Sequence, residues 1–390
     1  MTSTTYDVVV VGGGIHGVGI AQAVAAAGYS ILLIEQTALA SGTSGRSSKL
    51  VHGGLRYLET AQLRLVRESL RERAMLLALA PDLVRRVPFH IPIYRDTVRR
   101  PWKVGVGLSL YALLGGLAPD TKFARVPRNA WADLDGLRTN GLQTVWRYYD
   151  AQTDDAALTR AVMRSAIELG AELACPAEFV AATRLNEGYH IAYREAGEEK
   201  ERFCRALINA AGPWVDLVAQ RVTPAPRRFA IDLVQGTHII LPGRLTQGVY
   251  YLEAPWDRRA IFVMPWYDRT LVGTTESPYT GDPAFVHPLP EELTYLKKTV
   301  RHYFPEHSLD IVDSFSGLRV LPLGSSRPFR RPRETIFLRD LSDPVRYVAI
   351  YGGKLTGYRA TGAHVMRLVR GVLPRASPKG DTARIPLVPD

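Results

Sequence analysis

Between positions 49 and 57 the chain sets Lys49, His52, Gly53, Gly54, Arg56 and Tyr57, inside the run SSKLVHGGLRYLE. Each of these residue types can do chemistry. An imidazole titrates near neutral pH and can take and return a proton in every turnover. A guanidinium offers a planar fork that matches the oxygens of a phosphate or carboxylate. Burying such groups without partners costs free energy. Their density so close to an apolar N-terminus therefore points to a site and not to an ordinary core.

The elements that must position this run lie just before it. YDVVVVGGGIHGVGIAQAVAAAGYSILLIE reads as strand, glycine-rich turn, helix and strand. Val8 to Val11 form a continuous β-branched run, as in a parallel strand covered on both faces. Gly12, Gly14 and Gly17 fit GxGxxG: the first for a tight turn, the second for close approach of a pyrophosphate, the third for packing of helix on strand. The helix start, with Ile15 and His16, would offer free N–H groups and a positive dipole end to phosphates. Glu35 ends the second strand, followed by Gln36, where an acid can accept hydrogen bonds from adenosine ribose hydroxyls. These features predict dinucleotide binding; the motif alone leaves FAD and NAD(P) open. Small residues at 40–48, among them Thr43, Ser44 and Ser48, allow close approach of a large planar ligand.

The totals bound the class. A chain of 390 residues, 46% hydrophobic and 22% charged, has material for a sizeable core and is expected to form two domains, perhaps interleaved. A net charge of +11 favours acidic partners: phosphorylated metabolites, anionic lipid or nucleic acid. The basic residues are scattered, with no block of five or six like charges, so nucleic acid is not expected as the main partner. The cysteines, Cys175 and Cys204, have neither CxxC nor metal-ligand spacing; no disulfide framework and no metal site are expected. No signal peptide is expected, since the N-terminus lacks a basic n-region. The apolar run 104–118 is too short and glycine-rich for a membrane span. The expected location is cytoplasmic, with peripheral attachment to the inner face of the cytoplasmic membrane as an open alternative.

Further segments follow in one order: YYDAQTDDAALT (148–159), ALINAAGPWVD (206–216), LVQGTHIILP (233–242), FVMPWYDRTLVGTTESPYTGDP (262–283), SFSGLRVLP (314–322) and AIYGGKLTGYR (349–359). With the 47–59 run they resemble the FAD-dependent glycerol-3-phosphate dehydrogenases, within the D-amino-acid-oxidase-like flavoproteins. The resemblance implies an α/β chain: a Rossmann-like FAD-binding domain (1–72, 143–228 and 340–376), interleaved with an α+β substrate domain on an antiparallel sheet (73–142 and 229–339), then a loose tail (377–390). It departs in two places. Gly357 stands where the family often has a larger residue. The chain also ends near where the family usually enters a helical C-terminal domain, which bears on oligomerisation and membrane attachment rather than on the catalytic core.

The resemblance also implies roles. Ser48, Lys49, Leu50, His52, Gly53 and Gly54 would line the flavin, with Ala211, Gly212 and Trp214 as a second contact and Gly353, Lys354, Leu355 and Thr356 as the last loop. Arg56, Tyr57, Thr274, Arg319, Arg333 and Lys354 would face a small phosphorylated polyol. Oxidising a secondary alcohol requires hydride delivery to the flavin, a base, and positive groups for phosphate and oxyanion. Arg56, Arg319, Arg333 and Lys354 are the candidates for the positive groups, with Arg319 expected to anchor the phosphate and, with Lys354 and His238, to belong to the catalytic set; His238 is the candidate base, with His52 as the alternative, and Asp154 and Asp155 read as helix caps. The leading expectation is oxidation of sn-glycerol 3-phosphate to dihydroxyacetone phosphate, with electrons leaving to quinone or another carrier. An oxidase, a dehydrogenase of another polyol phosphate, and a non-catalytic flavin-binding subunit remain the alternatives. The stretch 98–122 could touch an anionic membrane through Trp102 and Leu108, or be a buried helix.

Overall fold

Val8, Val9 and Val10 are each 0% exposed, at the centre of the strand Thr5–Val11. The structure, a computed structural model, describes residues 5–323 and 334–389. Thr5–Val11 pairs in parallel with Ile31–Ile34 on one side and with Glu198–Asn209 on the other. Glu172–Ala174 and Tyr347–Tyr351 extend the parallel core outward. Valine and isoleucine suit such a sheet because both of its faces are covered. The helices Ile15–Ala26, Asp155–Glu168 and Tyr358–Val369 share one apolar cluster with one face. An antiparallel hairpin, Ala177–Leu185 with Gly188–Glu195, belongs to the cluster on the other.

The helix Ile15–Ala26 is buried nearly all round, and so has no polar stripe for a sequence pattern to reveal. Gly12 before it has φ +112°, and a Cβ there would press to 2.6 Å from the Ala210 carbonyl oxygen. A Cβ on Gly17 would run into the Gly12 carbonyl. Both positions of the glycine motif are therefore occupied as their spacing predicts.

The second sheet is antiparallel except where Val249–Glu253 runs parallel to Val84–Tyr94. The strands Ala260–Trp266 and Arg269–Gly273 alternate between its two faces. Val263 and Val272 belong to the apolar cluster that includes Leu296 and Val300 of the helix Pro290–Tyr303. Their neighbours Met264 and Leu271 belong to the cluster that includes the helices Leu63–Leu79 and Pro101–Leu114. The period of two places successive residues on opposite faces. The mixed architecture is the one expected: a parallel-rich sheet for the cofactor and a largely antiparallel second sheet.

Two segments differ from expectation. Leu142–Thr153, grouped from 143 onward with the cofactor unit, hydrogen-bonds in the second sheet along the whole of Val84–Tyr94. It also pairs with Leu50–Val51, which ties the polar run to that sheet. The C-terminal stretch is not loose. Leu387 is 3% exposed and its N–H donates to Leu79 O (2.7 Å), while the Lys379 and Gly380 N–H groups donate to Ala26 O. Proline and charge masked the burial of that leucine.

Lys49 is also placed differently from expectation. With φ +58° it turns into the protein, where Nζ donates to Asp155 Oδ1 (2.5 Å) and Gly45 O (2.6 Å). The rings of Trp266 and Phe315 stand 5.3 and 5.2 Å away. Asp155 Oδ2 accepts the Ser47 N–H (2.9 Å), while the neighbouring Asp154 caps the helix by accepting from the Ala157 N–H. Burial raises the pKa of Asp155, and Lys49 opposes that rise. Removing one partner of a buried pair strands the other charge, at a cost of about 3–5 kcal/mol. Asp155→Ala should lower stability in urea by that order, and the double variant Asp155→Ala with Lys49→Met should recover part of it. Equal losses in the single and double variants would show that the pair is not coupled.

Candidate functional site

A cleft of about 630 Å³ opens where the parallel strands end and meets the second sheet. Its walls come from the glycine turn (Gly12, Gly14, Ile15, His16), the end of the second strand (Glu35, Gln36) and the small-residue run (Thr43, Ser44, Ser48, Leu50, His52). Ala211, Gly212 and Trp214 form another wall, and Gly353, Lys354, Leu355 and Thr356 close it. The Ile15 N–H donates to Ser44 Oγ (2.9 Å), joining the helix start to the serine-rich loop. Glu35 accepts the Gly13 N–H at Oε2 (2.7 Å) and the Thr37 N–H at Oε1 (2.9 Å), so its carboxylate is held at the cleft edge by backbone.

These residues fit a dinucleotide. A Cβ on Gly14 would reach toward Ser44 Oγ at 3.0 Å, in the space that a pyrophosphate would share. His16 Nδ1 is buried with no hydrogen-bond partner among the described residues. The helix N-terminus would hold the pyrophosphate, Glu35 the ribose hydroxyls, and the 43–52 and 353–356 walls a flat ring system.

A second, smaller pocket of about 140 Å³ joins this cleft. Ser48, His52, Tyr57, Phe262 and Arg319 line both. Arg56, Gly54 and Thr274 line only the small pocket, together with Asp150, Tyr251, Arg259 and Glu276. Arg319 Nη2 donates to Thr274 Oγ1 (2.8 Å), and its Nη1 lies 3.5 Å from Glu276 Oε1. Lys354 Nζ donates to Ser69 Oγ (3.2 Å) and stands 4.1 Å over the Tyr57 ring. The Arg56 guanidinium is 5.3 Å from that same ring. Arg333 lies outside the described residues.

Four of the expected cofactor residues do not face the cleft; one of them, Gly54, lines only the small pocket. Gly17 packs against Gly12. Lys49 is bound by Asp155. The Gly53 N–H donates to Asp150 Oδ1 (3.2 Å), and Asp150 in turn accepts from Arg73 Nη1 (2.6 Å) and Tyr111 Oη (2.8 Å). Gly53 and Lys49 thus shape the turn from behind.

His238 sits on Ile231–Leu241 with the ring 2% exposed and stacked on Phe315 (4.9 Å). Nε2 shares a hydrogen bond with Ser48 Oγ (2.9 Å), and Nδ1 is buried without a partner among the described residues. Burial holds its pKa well below 6.5, and Arg319 and Lys49 push it in the same direction. The imidazole is therefore neutral and can accept a proton, though feebly while those charges are uncompensated.

Sequence reasoning missed a carboxylate behind this strand. Glu292, 3% exposed, accepts from Gln235 Nε2, Thr275 Oγ1 and Ser277 Oγ (each 2.7 Å) and from Thr237 Oγ1. Burial raises its pKa, but the hydrogen bonds from Thr237, Thr275 and Ser277 outweigh that and leave it lowered. It locks the strand carrying His238 to the loop carrying Thr274. Its one local signal, the Pro290-Glu291-Glu292 helix start, reads as capping alone. Arg259 and Tyr251 were missed as well, because no motif surrounds them.

The fold and the paired cavities define a flavin-type oxidoreductase with a cofactor cleft opening into a polar substrate pocket. The family model described as FAD dependent oxidoreductase matches residues 7–363; the chain belongs to this family, and its cofactor is FAD. It is 39% identical to a glycerol-3-phosphate dehydrogenase of Pseudomonas aeruginosa, over 98% of this chain and 75% of that one. It is 36% identical to a D-erythritol 1-phosphate dehydrogenase of Brucella abortus, over 95% of this chain and 75% of that one. The glycerol-3-phosphate dehydrogenase of Bacillus halodurans, solved with FAD, superposes with a TM-score of 0.78 at 26% identity, covering 99% of this chain and 68% of that one.

Buried imidazoles make the protein sensitive to acid. Burial lowers His16 to about 4, and burial with Arg147 lowers His90 to about 4, from 6.5. Between those values the unfolded chain binds protons that the folded one refuses, so stability is lost as pH falls through this window. The urea midpoint of the flavin-free protein should drop steadily from about pH 6.5 to about pH 4, and His90→Gln should flatten the slope. A midpoint constant over that range would contradict the burial of these rings.

Proposed function

We propose that the chain oxidises the secondary hydroxyl of a small polyol phosphate, with sn-glycerol 3-phosphate as the first candidate and dihydroxyacetone phosphate as its product. The observation that carries this reading is the junction of the two cavities. Ser48 and Arg319 line both cavities, a neutral histidine hydrogen-bonds Ser48 from the cofactor cleft, and Arg56 stands in the pocket beyond. Bound FAD supplies the hydride acceptor. In this reading His238 takes the hydroxyl proton, with His52 as the alternative base. Arg319 and Lys354 stabilise the developing oxyanion, while Tyr57 and Thr274 orient the carbinol. The two relatives' names support a polyol phosphate and leave its length open, so D-erythritol 1-phosphate is the second candidate.

The test is direct. Glycerol 3-phosphate added without oxygen should bleach the flavin band at roughly 450 nm, with D-erythritol 1-phosphate compared alongside. His238→Ala should keep its flavin and slow this reduction by roughly 10²–10⁴-fold. Undiminished reduction in that variant, with loss in His52→Ala, would transfer the base to His52. No bleaching with either compound would remove the polyol-phosphate reading.

For the electron acceptor we propose a membrane quinone, reached by peripheral contact. No helix among the described residues is long and apolar enough to cross a membrane. The helix Pro101–Leu114 buries Val104, Leu108, Tyr111 and Ala112, so Leu108 is a core residue and not a lipid contact. Its other face exposes Trp102, Val106 and Leu113, with Leu117 just beyond. Exposed Lys103 and Arg100 lie at its start, whereas Arg99 is taken up by Glu59 and Glu253. An apolar face beside basic residues suits an anionic bilayer surface. Binding to liposomes containing anionic lipid should weaken with salt and fall in Trp102→Ser with Leu113→Ser. Recovery of all protein in the supernatant at low salt would point to an aqueous acceptor.

A further inference from the structure

The substrate pocket has two ends. Ser48, His52, Tyr57, Phe262 and Arg319 belong to the cofactor cleft as well, whereas Tyr251 and Arg259 line the small pocket alone. A carbon that gives up hydride must lie against the cofactor, and so at the shared end. In a polyol phosphate oxidised beside its ester, the phosphate hangs from the next carbon and must point the other way.

We propose that Arg259 and the Tyr251 hydroxyl bind the substrate's phosphate at the end of the pocket remote from the cofactor. This rests on the polyol-phosphate reading above and moves the phosphate away from Arg319, which then serves the oxygen being oxidised. Arg259 is held by three neighbouring groups. Nε donates to Asp257 Oδ2 (2.6 Å), Nη1 donates to Glu276 O (3.1 Å), and the guanidinium lies 4.8 Å over the Tyr295 ring. Tyr295 Oη donates in turn to Asp257 Oδ1 (2.8 Å). A guanidinium already held at two of its nitrogens loses little entropy when the third binds an anion.

Tyr251 supplies the second, independent observation. The residue is 7% exposed, and its hydroxyl is buried with no hydrogen-bond partner among the described residues. Its ring is packed at 5.1 Å from Phe262 and lies 5.5 Å from the Arg99 guanidinium. A buried hydroxyl without a partner is costly, and a phosphate oxygen would satisfy it. The negative charge on this wall is matched in place: Glu276 pairs with Arg319, and Asp150 with Arg73.

The experiment compares flavin-loaded Arg259→Gln, Arg259→Lys and Tyr251→Phe with the unaltered protein. The quantities read are kcat/KM for glycerol 3-phosphate relative to unphosphorylated glycerol, and the inhibition constant of inorganic phosphate. Losing one hydrogen bond to a charged group should lower that ratio roughly 10- to 100-fold in Arg259→Gln, mostly through KM, and weaken inhibition by phosphate in parallel. Arg259→Lys should recover part of the loss. Tyr251→Phe removes only an oxygen with no hydrogen-bond partner among the described residues, so a purely structural role predicts no change; the phosphate role predicts a fall of about 3- to 10-fold in the same ratio. Ratios and inhibition unchanged in an active, yellow protein would overturn the assignment and leave the polyol-phosphate reading standing. Equal losses for phosphorylated and unphosphorylated substrates would overturn it too. A wild-type protein that oxidises no polyol phosphate would instead overturn the reading beneath it.

Discussion

The buried ion pair between Lys49 and Asp155 decides where the polar run after the second strand must go. Asp155 begins the helix Asp155–Glu168, which packs under the parallel sheet, so its carboxylate is anchored to the cofactor side of the protein. From there it binds both the Lys49 ammonium and the Ser47 N–H. Leu50 and Val51 then pair with Gln152 and Ala151 of the second sheet. One chain segment is thereby fastened to both sheets within a few residues. Ser48 is left facing the cleft, within hydrogen-bond reach of His238.

A second buried charge group repeats this device one turn further on. Asp150 collects Arg73, Tyr111 and the Gly53 N–H, and Arg73 reaches on to Asp120. Such groups are weak contributors to net stability, because desolvation offsets much of their attraction. Their value lies in geometry: a polar network has few satisfied arrangements, whereas an apolar contact has many. Here that selectivity acts on the loop from His52 to Tyr57, which borders both cavities.

Positive charge surrounds the buried His238. Arg319 and Lys49 both disfavour a proton on His238, on top of its burial. Negative charge developing on an oxygen beside Arg319 would lift part of that penalty, so proton acceptance by the imidazole and charge development at Arg319 would favour each other through Coulomb's law.

Local chemistry settled the first part of this protein. A β-branched run, a glycine turn with its spacing, and an acid at the end of the next strand act over a few residues, so Gly12, Gly14 and Glu35 were legible without a fold. The family resemblance brought His238 and Arg319 into view, and the tertiary structure set them beside Ser48 and Thr274. What only the tertiary structure decided are the roles that depend on partners far along the chain. Lys49 looks like a ligand until Asp155 is placed beside it. Glu292 looks like a cap until Gln235, Thr237 and Thr275 converge on it. Tyr251 looks like an ordinary strand residue and Arg259 like an ordinary turn residue until a shared pocket gives them a direction. The physical reason is common to all of them: the partner that satisfies a buried charge or hydroxyl is chosen by strand order and sheet contact, and neither has a local signature in the sequence.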